Sequence, residues 1–225
     1  MLKPKLGDRT NQYTLLKAGI ILFFFLLFSS ISIVNHYMFR TGAYDLGIYN
    51  NAIYSYAHFV MNHTPIQQPY VNHISSEHFE LVLFIFSPLY WLFGTYTLLW
   101  VQIGMILLGG IGIMKFVKEY TQNEKLSVFA LAHFYTIWGI YSALSFDFHN
   151  NITAAMLMPW LLYYFHQRKW RGVVLFFVLM LISKENMALY ASFVALGLGL
   201  FYWKEKVARR VGLLLFSVGI CYLLQ

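Results

Sequence analysis

The chain is cut by polar residues into apolar runs at about 18–38, 78–93, 96–117, 126–145, 151–165, 172–182, 187–203 and 211–224. A helix needs about 20 apolar residues, at 1.5 Å of rise each, to cross roughly 30 Å of hydrocarbon. Runs of this length and number leave little choice of fold: an all-α, polytopic bundle of transmembrane helices, because lipid satisfies no open strand edge. The composition agrees. Of 225 residues 59% are hydrophobic and only 11% charged, where a soluble domain carries about 25% charged residues. The net charge of +7 is not gathered into a basic stripe on a soluble surface, so nucleic acid is excluded as a partner. The single Cys221 lies in an apolar run, which excludes a disulfide framework and cysteine zinc sites.

Lys3, Lys5, Arg9 and Lys17 precede the run Ala18–Val34. That run is longer than the ~7–15 apolar residues of a signal peptide and has no A-x-A cleavage site, so it reads as an uncleaved anchor. Residues 1–17 are then a cytoplasmic basic tail, 18–38 the first transmembrane helix, 39–95 an outer loop and 96–225 further transmembrane helices, all in one membrane domain. The sequence stops at Leu223-Leu224-Gln225 inside an apolar segment, which leads us to expect the amino-terminal part of a longer protein.

Run 78–93 is short and contains Glu80 and Pro88. If it lies in or dips into the outer interface, and Ser183-Lys184-Glu185-Asn186 separates two helices, all but two of the 16 basic residues fall on the cytoplasmic side. The two outside are Arg40 and Lys184. Letting 78–93 cross would instead place Lys115–Lys125 and Arg168–Arg171 outside, against the positive-inside bias. The interfacial or re-entrant arrangement is therefore expected. It also gathers Arg40, Asp45, His73, Glu77, His78, Glu80, Asp147, His149, Lys184 and Glu185 on the outer side. Apolar positions from Leu46 to Phe59 recur at helical spacing and suit a helix along the membrane surface. A polar loop with Pro65 and Pro69 follows.

Ionisable side chains at membrane depth cost about 2.5–3.5 kcal/mol on insertion scales. Lys184-Glu185 is either a helix break in which the two partly neutralise each other, or a pocket in which Lys184 holds an anion and Glu185 orients it. Ser145-Phe146-Asp147-Phe148-His149-Asn150-Asn151 is a polar turn between two helices. One acid or amide there could cap the next helix, but Asp147 with His149 also suits a general base, proton relay or metal ligand. The two phenylalanines would pin the turn to the interface. Asp45 is either an N-cap of the surface helix or a base beside the cation Arg40. His73, Glu77 and His78 could share one side of a helix, yet no His-Glu-x-x-His pattern supports a metal, and a divalent metal is left open as a cofactor. The sequon Asn62-His63-Thr64 precedes Pro65 and is read as chance. Gly104, Gly109, Gly110 and Gly112 read as close helix packing.

Five blocks, in order, carry a family resemblance: Arg40-x-x-x-Tyr44-Asp45-Leu46-Gly47-Ile48-Tyr49-Asn50-Asn51; Glu77-His78-Phe79 leading to Ser87-Pro88-Leu89-Tyr90; Gln102; Phe146-Asp147-Phe148-His149; and Lys184-Glu185-Asn186. They resemble the membrane proteins grouped as domain of unknown function 2079, over about residues 30–203. That family is similar to the GT-C glycosyltransferases, membrane enzymes with an acid in the first outer loop and a polyprenyl-phosphate-linked sugar as donor. The resemblance implies that Asp45 is the general base, that Asp147 and His149 face the same cavity, and that Lys184 or Arg40 holds the donor phosphate. His78 would bind substrate and Glu185 would orient Lys184 or a sugar hydroxyl. Many GT-C enzymes pair two acids in the first loop, whereas Asp45 stands alone there. A GT-C-like glycosyltransferase with an outward-facing site is therefore the expectation, with polyprenyl-phosphate sugar and membrane lipids as partners. The competing readings are a proton- or metal-coupled transporter and a non-catalytic subunit that binds a lipid or partner.

Overall fold

The computed structural model describes residues 6–64 and 80–224. They form α1 (Leu6–Tyr37), a π-helical turn (Ala43–Gly47) and α2 (Ile48–Ala57), then α3 (Val82–Phe86), α4 (Tyr90–Phe93), α5 (Thr97–Thr121), α6 (Glu124–Tyr135) and α7 (Trp138–Phe146). After these come α8 (Asn150–Ala155), α9 (Met158–His166), α10 (Trp170–Leu181), α11 (Met187–Phe201) and α12 (Lys206–Leu223). No strand occurs among the described residues. The fold is the expected all-α membrane type. Three helical stretches, Asn11–Tyr37, Val82–Thr121 and Glu124–Phe146, are long and apolar enough to cross a bilayer.

The breaks have local causes. Gly94, at φ +55°, ends α4 before α5 begins, a left-handed conformation that costs glycine little. Gln122 closes α5 in the left-handed region, and the Asn123 side chain accepts the N–H groups of Lys125 and Leu126 to start α6. Pro159 occupies the first turn of α9, where its missing N–H costs nothing. Helices α10 and α11 are separated at residues 182–186.

Helix α5 is central: its Leu98, Leu99, Ile103 and Ile106 are almost completely buried, and the stretch Val82–Thr121 that contains it is far more buried than Asn11–Tyr37. Leu22, Phe23 and Leu26 of α1 stand exposed, as lipid-facing side chains do. Three apolar clusters hold the bundle. One joins α1, α5, α6 and α7 through Phe24, Phe28, Ile106 and Tyr135. A second joins α2, α3 and α5 and takes in Phe148. The third joins α8 to α12.

The glycines of α5 divide. A Cβ on Gly110 would stand 2.1 Å from the Tyr135 ring, and one on Gly112 would stand 2.9 Å from Trp160. Gly109 is crowded in the same way by Met156 and Phe134. These three are packing positions, as expected. Gly104 meets nothing within 4 Å and instead borders an apolar cavity of about 570 Å³ between Phe25, Phe86 and Trp100.

The two ends of the bundle differ in charge. At one end Lys17 of α1 and Lys118 of α5 both pair with Glu124 of α6, at 2.7 and 3.2 Å. There too Arg168, after α9, pairs with Glu205 before α12. The His166 ring beside Tyr120 ties this second pair to the same end of α5. The opposite end holds the carboxyl ends of α1, α7 and α10, and the segment that contains α2 and α3, whose Ile48, Ala52 and Ile53 are buried.

Candidate functional site

The loop after α1 turns at Gly42, which is extended at φ −89°, ψ 145°, and passes directly into the π-helical turn. A π turn closes i→i+5 bonds, here from the Gly47 N–H to the Gly42 carbonyl at 3.2 Å, and such turns recur at functional sites. Asp45 sits inside it, half-exposed, and makes no cap. The N-cap expectation for Asp45 therefore fails: the preceding residues already carry the backbone into the helix.

Asp147 follows the last residue of α7 with an extended backbone. It does not cap α8, whose N-cap is His149 with no side-chain bond. Its Oδ2 instead accepts the backbone N–H of Gly42 at 2.8 Å, across 105 residues of sequence. A Cβ built on Gly42 would lie 3.4 Å from Asp147 Oδ2 and 3.7 Å from Asp45 Oδ2, so both carboxylates flank the same point. Two acids from separate loops thus meet at Gly42.

Two devices fix this turn. Phe148 is completely buried against Tyr49, rings edge to face at 5.5 Å, and so anchors the turn in the core. The expectation that both phenylalanines pin it to the interface does not fit Phe148, whereas Phe146 is 57% exposed and stacks on His149. Gln102 of α5, fully buried, donates to the carbonyls of Ala143 and Asp147 at 3.3 and 3.0 Å and accepts the His149 N–H at 3.2 Å.

Asp147 is 5% exposed. Burial raises its carboxyl above the ordinary carboxylate range. The Gly42 N–H opposes that rise, the Asp45 charge adds to it, and the Leu46 N–H and His149 oppose it more weakly.

A second polar cluster lies one helical turn further along α2. Tyr49 donates its hydroxyl to Glu80 Oε1 at 3.1 Å, and Lys184 Nζ pairs with the same oxygen at 3.2 Å. Glu80 is 5% exposed. The Val82 N–H donates to the Ile182 carbonyl at 3.0 Å, which clips α3 to the break after α10. The sequence marked Glu80 only as an odd acid in an apolar run and assigned it no role. That isolation was the available signal.

Lys184 and Glu185 point apart. Lys184 turns to Glu80 on the α3 side, whereas the charge of Glu185 acts on Tyr222 of α12. Of the residues expected to share one hollow, Asp45 and Asp147 meet at Gly42, while Lys184 joins Glu80 and Tyr49 in the second cluster. Arg40 is exposed beside Gly42 and makes no ion pair among the described residues. His73, Glu77 and His78 lie outside the described residues. Among the described residues no three His, Cys, Asp or Glu side chains group as a metal site.

Several buried polar atoms at this end have no hydrogen-bond partner among the described residues: Asp147 Oδ1, Glu80 Oε2, Asn50 Oδ1 and both amide atoms of Asn150. Two cavities open nearby. One, of about 860 Å³, is bordered by His36, Thr41 and Tyr96, the other, of about 790 Å³ and largely apolar, by Tyr56, Phe84 and Trp91.

The chain belongs to the predicted membrane protein family of unknown function DUF2079, whose model matches residues 35–225. No curated protein and no solved structure matches it.

Proposed function

We propose that this DUF2079 member is a membrane glycosyltransferase of GT-C type, moving a sugar from a polyprenyl-phosphate donor to an acceptor hydroxyl at the outer face. The observation that supports this reading is the meeting of Asp45 and Asp147 at Gly42. In the proposed step Asp45 takes the proton of the acceptor hydroxyl, whose oxygen attacks the anomeric carbon. The bond from that carbon to the lipid phosphate oxygen breaks, and the departing phosphate is held by Arg40. Asp147 keeps the Asp45 turn in place through Gly42, and His149 relays the proton away from the acid pair. With Lys184 on Glu80, Arg40 is the exposed cation left at this end among the described residues. Glu80, Lys184 and Tyr49 brace α2 behind the site. The two nearby cavities offer room for a sugar and for a prenyl chain.

The lysine and arginine residues at the opposite end favour a cytoplasmic position for that end, which turns the acid pair outward with α2, α3 and α4 at the outer interface. The test is release of sugar from a polyprenyl-phosphate sugar by the full chain in lipid vesicles. Asp45→Asn should lower turnover by about 10²–10⁴-fold, the range for loss of a general base. Undiminished turnover would contradict the assignment.

The buried Glu80–Lys184 pair favours a second reading. An ion pair held among membrane helices suits a proton path, and proton flux into vesicles that Glu80→Gln abolishes would support a transporter instead.

A further inference from the structure

At the basic end, α9 and α10 meet in a groove of about 450 Å³ bordered by Tyr164, Lys169, Trp170, Arg171, Leu175 and Phe176. Its floor is aromatic. Phe176 stacks between Tyr164 and Trp160, at 5.4 and 5.7 Å between centroids. Gly172 makes this possible, because a Cβ there would stand 2.6 Å from the Tyr164 ring.

The cations along this turn are used unequally. Arg168 is committed, paired with Glu205 and lying over the Tyr202 ring at 3.9 Å. Lys115 lies over the Trp160 ring at 4.9 Å, next along the stack. Lys169 and Arg171, on the rim of the groove, are exposed and have no acidic partner among the described residues. Below them Val174, Leu175 and Val178 present an exposed apolar strip along α10. Two unneutralised cations directly above an aromatic floor and an apolar strip match a molecule with an anionic head and a hydrocarbon tail.

We propose that this groove is a binding site for one anionic glycerophospholipid, its phosphodiester between Lys169 and Arg171 and an acyl chain along Leu175 and Phe176. The site is separate from the acid pair and does not depend on the glycosyltransferase reading. A soluble phosphate would use the two cations but leave the apolar floor uncovered. A zwitterionic lipid would cover the floor but bring its own cation to the rim. Each Lys or Arg near a membrane surface favours anionic lipid, so the two together should give a preference of at least about tenfold.

The test is native mass spectrometry of the full chain, released from mixed micelles that hold phosphatidylglycerol and phosphatidylcholine in equal amounts. The wild type should retain one phosphatidylglycerol at least about tenfold more often than phosphatidylcholine. Lys169→Gln/Arg171→Gln should remove that preference. The control Lys204→Gln/Lys206→Gln, which alters exposed cations at the same end but off the groove, should keep it. Millimolar glycerophosphate should not displace the lipid. Size-exclusion profiles and melting temperatures matching the wild type ensure that each variant is folded; Lys169→Met/Arg171→Met replaces the first pair if it is not. Equal retention of both lipids by the wild type, equal losses in both charge pairs, or displacement by glycerophosphate would each overturn the proposal.

Discussion

The carboxylate of Asp147 accepts the backbone N–H of Gly42 at 2.8 Å, which fixes the entry to the π-helical turn of Asp45 from a position 105 residues later in the chain. The contact gives Asp147 a structural and an electrostatic part that substitutions can separate. Asp147→Ala should destabilise the protein by about 1–3 kcal/mol, the range for leaving a buried hydrogen-bonding group without its partner. Asp147→Asn, which keeps an acceptor, should lose less. Thermal unfolding of the detergent-solubilised chain measures both.

The raised Asp147 carboxyl makes stability depend on pH with a definite sign. The folded chain binds this proton more tightly than the unfolded chain, so the contribution is complete below the ordinary carboxylate value of about 4. It is lost as pH rises through the raised native value and is flat above that. Stability of the wild type relative to Asp147→Asn should therefore fall as pH rises through this window. Chemical unfolding of both proteins across the range reads it, and a difference that rises with pH contradicts the account.

Removing one member of the buried Glu80–Lys184 pair leaves the other charge uncompensated. Lys184→Met and Glu80→Gln should each cost about 3–5 kcal/mol, as broken buried pairs do, with the side-chain exposure of Lys184, 13%, favouring the low end. The double variant should cost less than the sum of the two. Additive losses in that double-mutant cycle would show that the pair does not couple α2, α3 and the α10–α11 break.

Gln102→Leu removes three hydrogen bonds to the turn at 143–149 with little change in volume. It should destabilise by about 1–3 kcal/mol and raise amide hydrogen exchange at Asp147 and His149 without altering exchange in α12. Unchanged exchange at those two residues would remove Gln102 from its clamping role.

Helices α11 and α12 touch backbone to backbone. A Cβ on Gly212 would stand 2.5 Å from Gly199 Cα, and no side-chain rotation relieves that clash. Gly212→Leu should lower the melting temperature sharply. Gly197→Leu on the open side of α11, where a Cβ meets nothing within 4 Å, should leave it nearly unchanged.

The helical membrane class was legible from run length alone, since every apolar run demanded internal satisfaction of its backbone. The charged residues were legible as isolated charges in apolar surroundings, and Asp147 and Lys184 each have a polar partner. Their partners were not legible. Sequence order placed Lys184 beside Glu185, but side chains of adjacent residues diverge on a turn, and packing sent Lys184 to Glu80, 104 positions earlier. Phe148 read as an interfacial anchor because alternation with Phe146 gave no sign of which ring the core would take. Gln102 looked like an ordinary polar residue in a long helix, and its task became visible only once the 147–149 turn lay against it.

The central claim is that Asp45 and Asp147 share one site, and cross-linking tests it most directly. With the exposed Cys221 replaced by Ser, Asp45→Cys/Asp147→Cys should be joined within one chain by a short bis-thiol reagent of about 8 Å. A protease site placed between α5 and α6 would leave the two fragments linked. The pair Lys17→Cys/Glu124→Cys, in contact at the opposite end, is the positive control. Efficient joining of 45 to 147 is the predicted result. Fragments that separate completely while the control pair stays linked would contradict it.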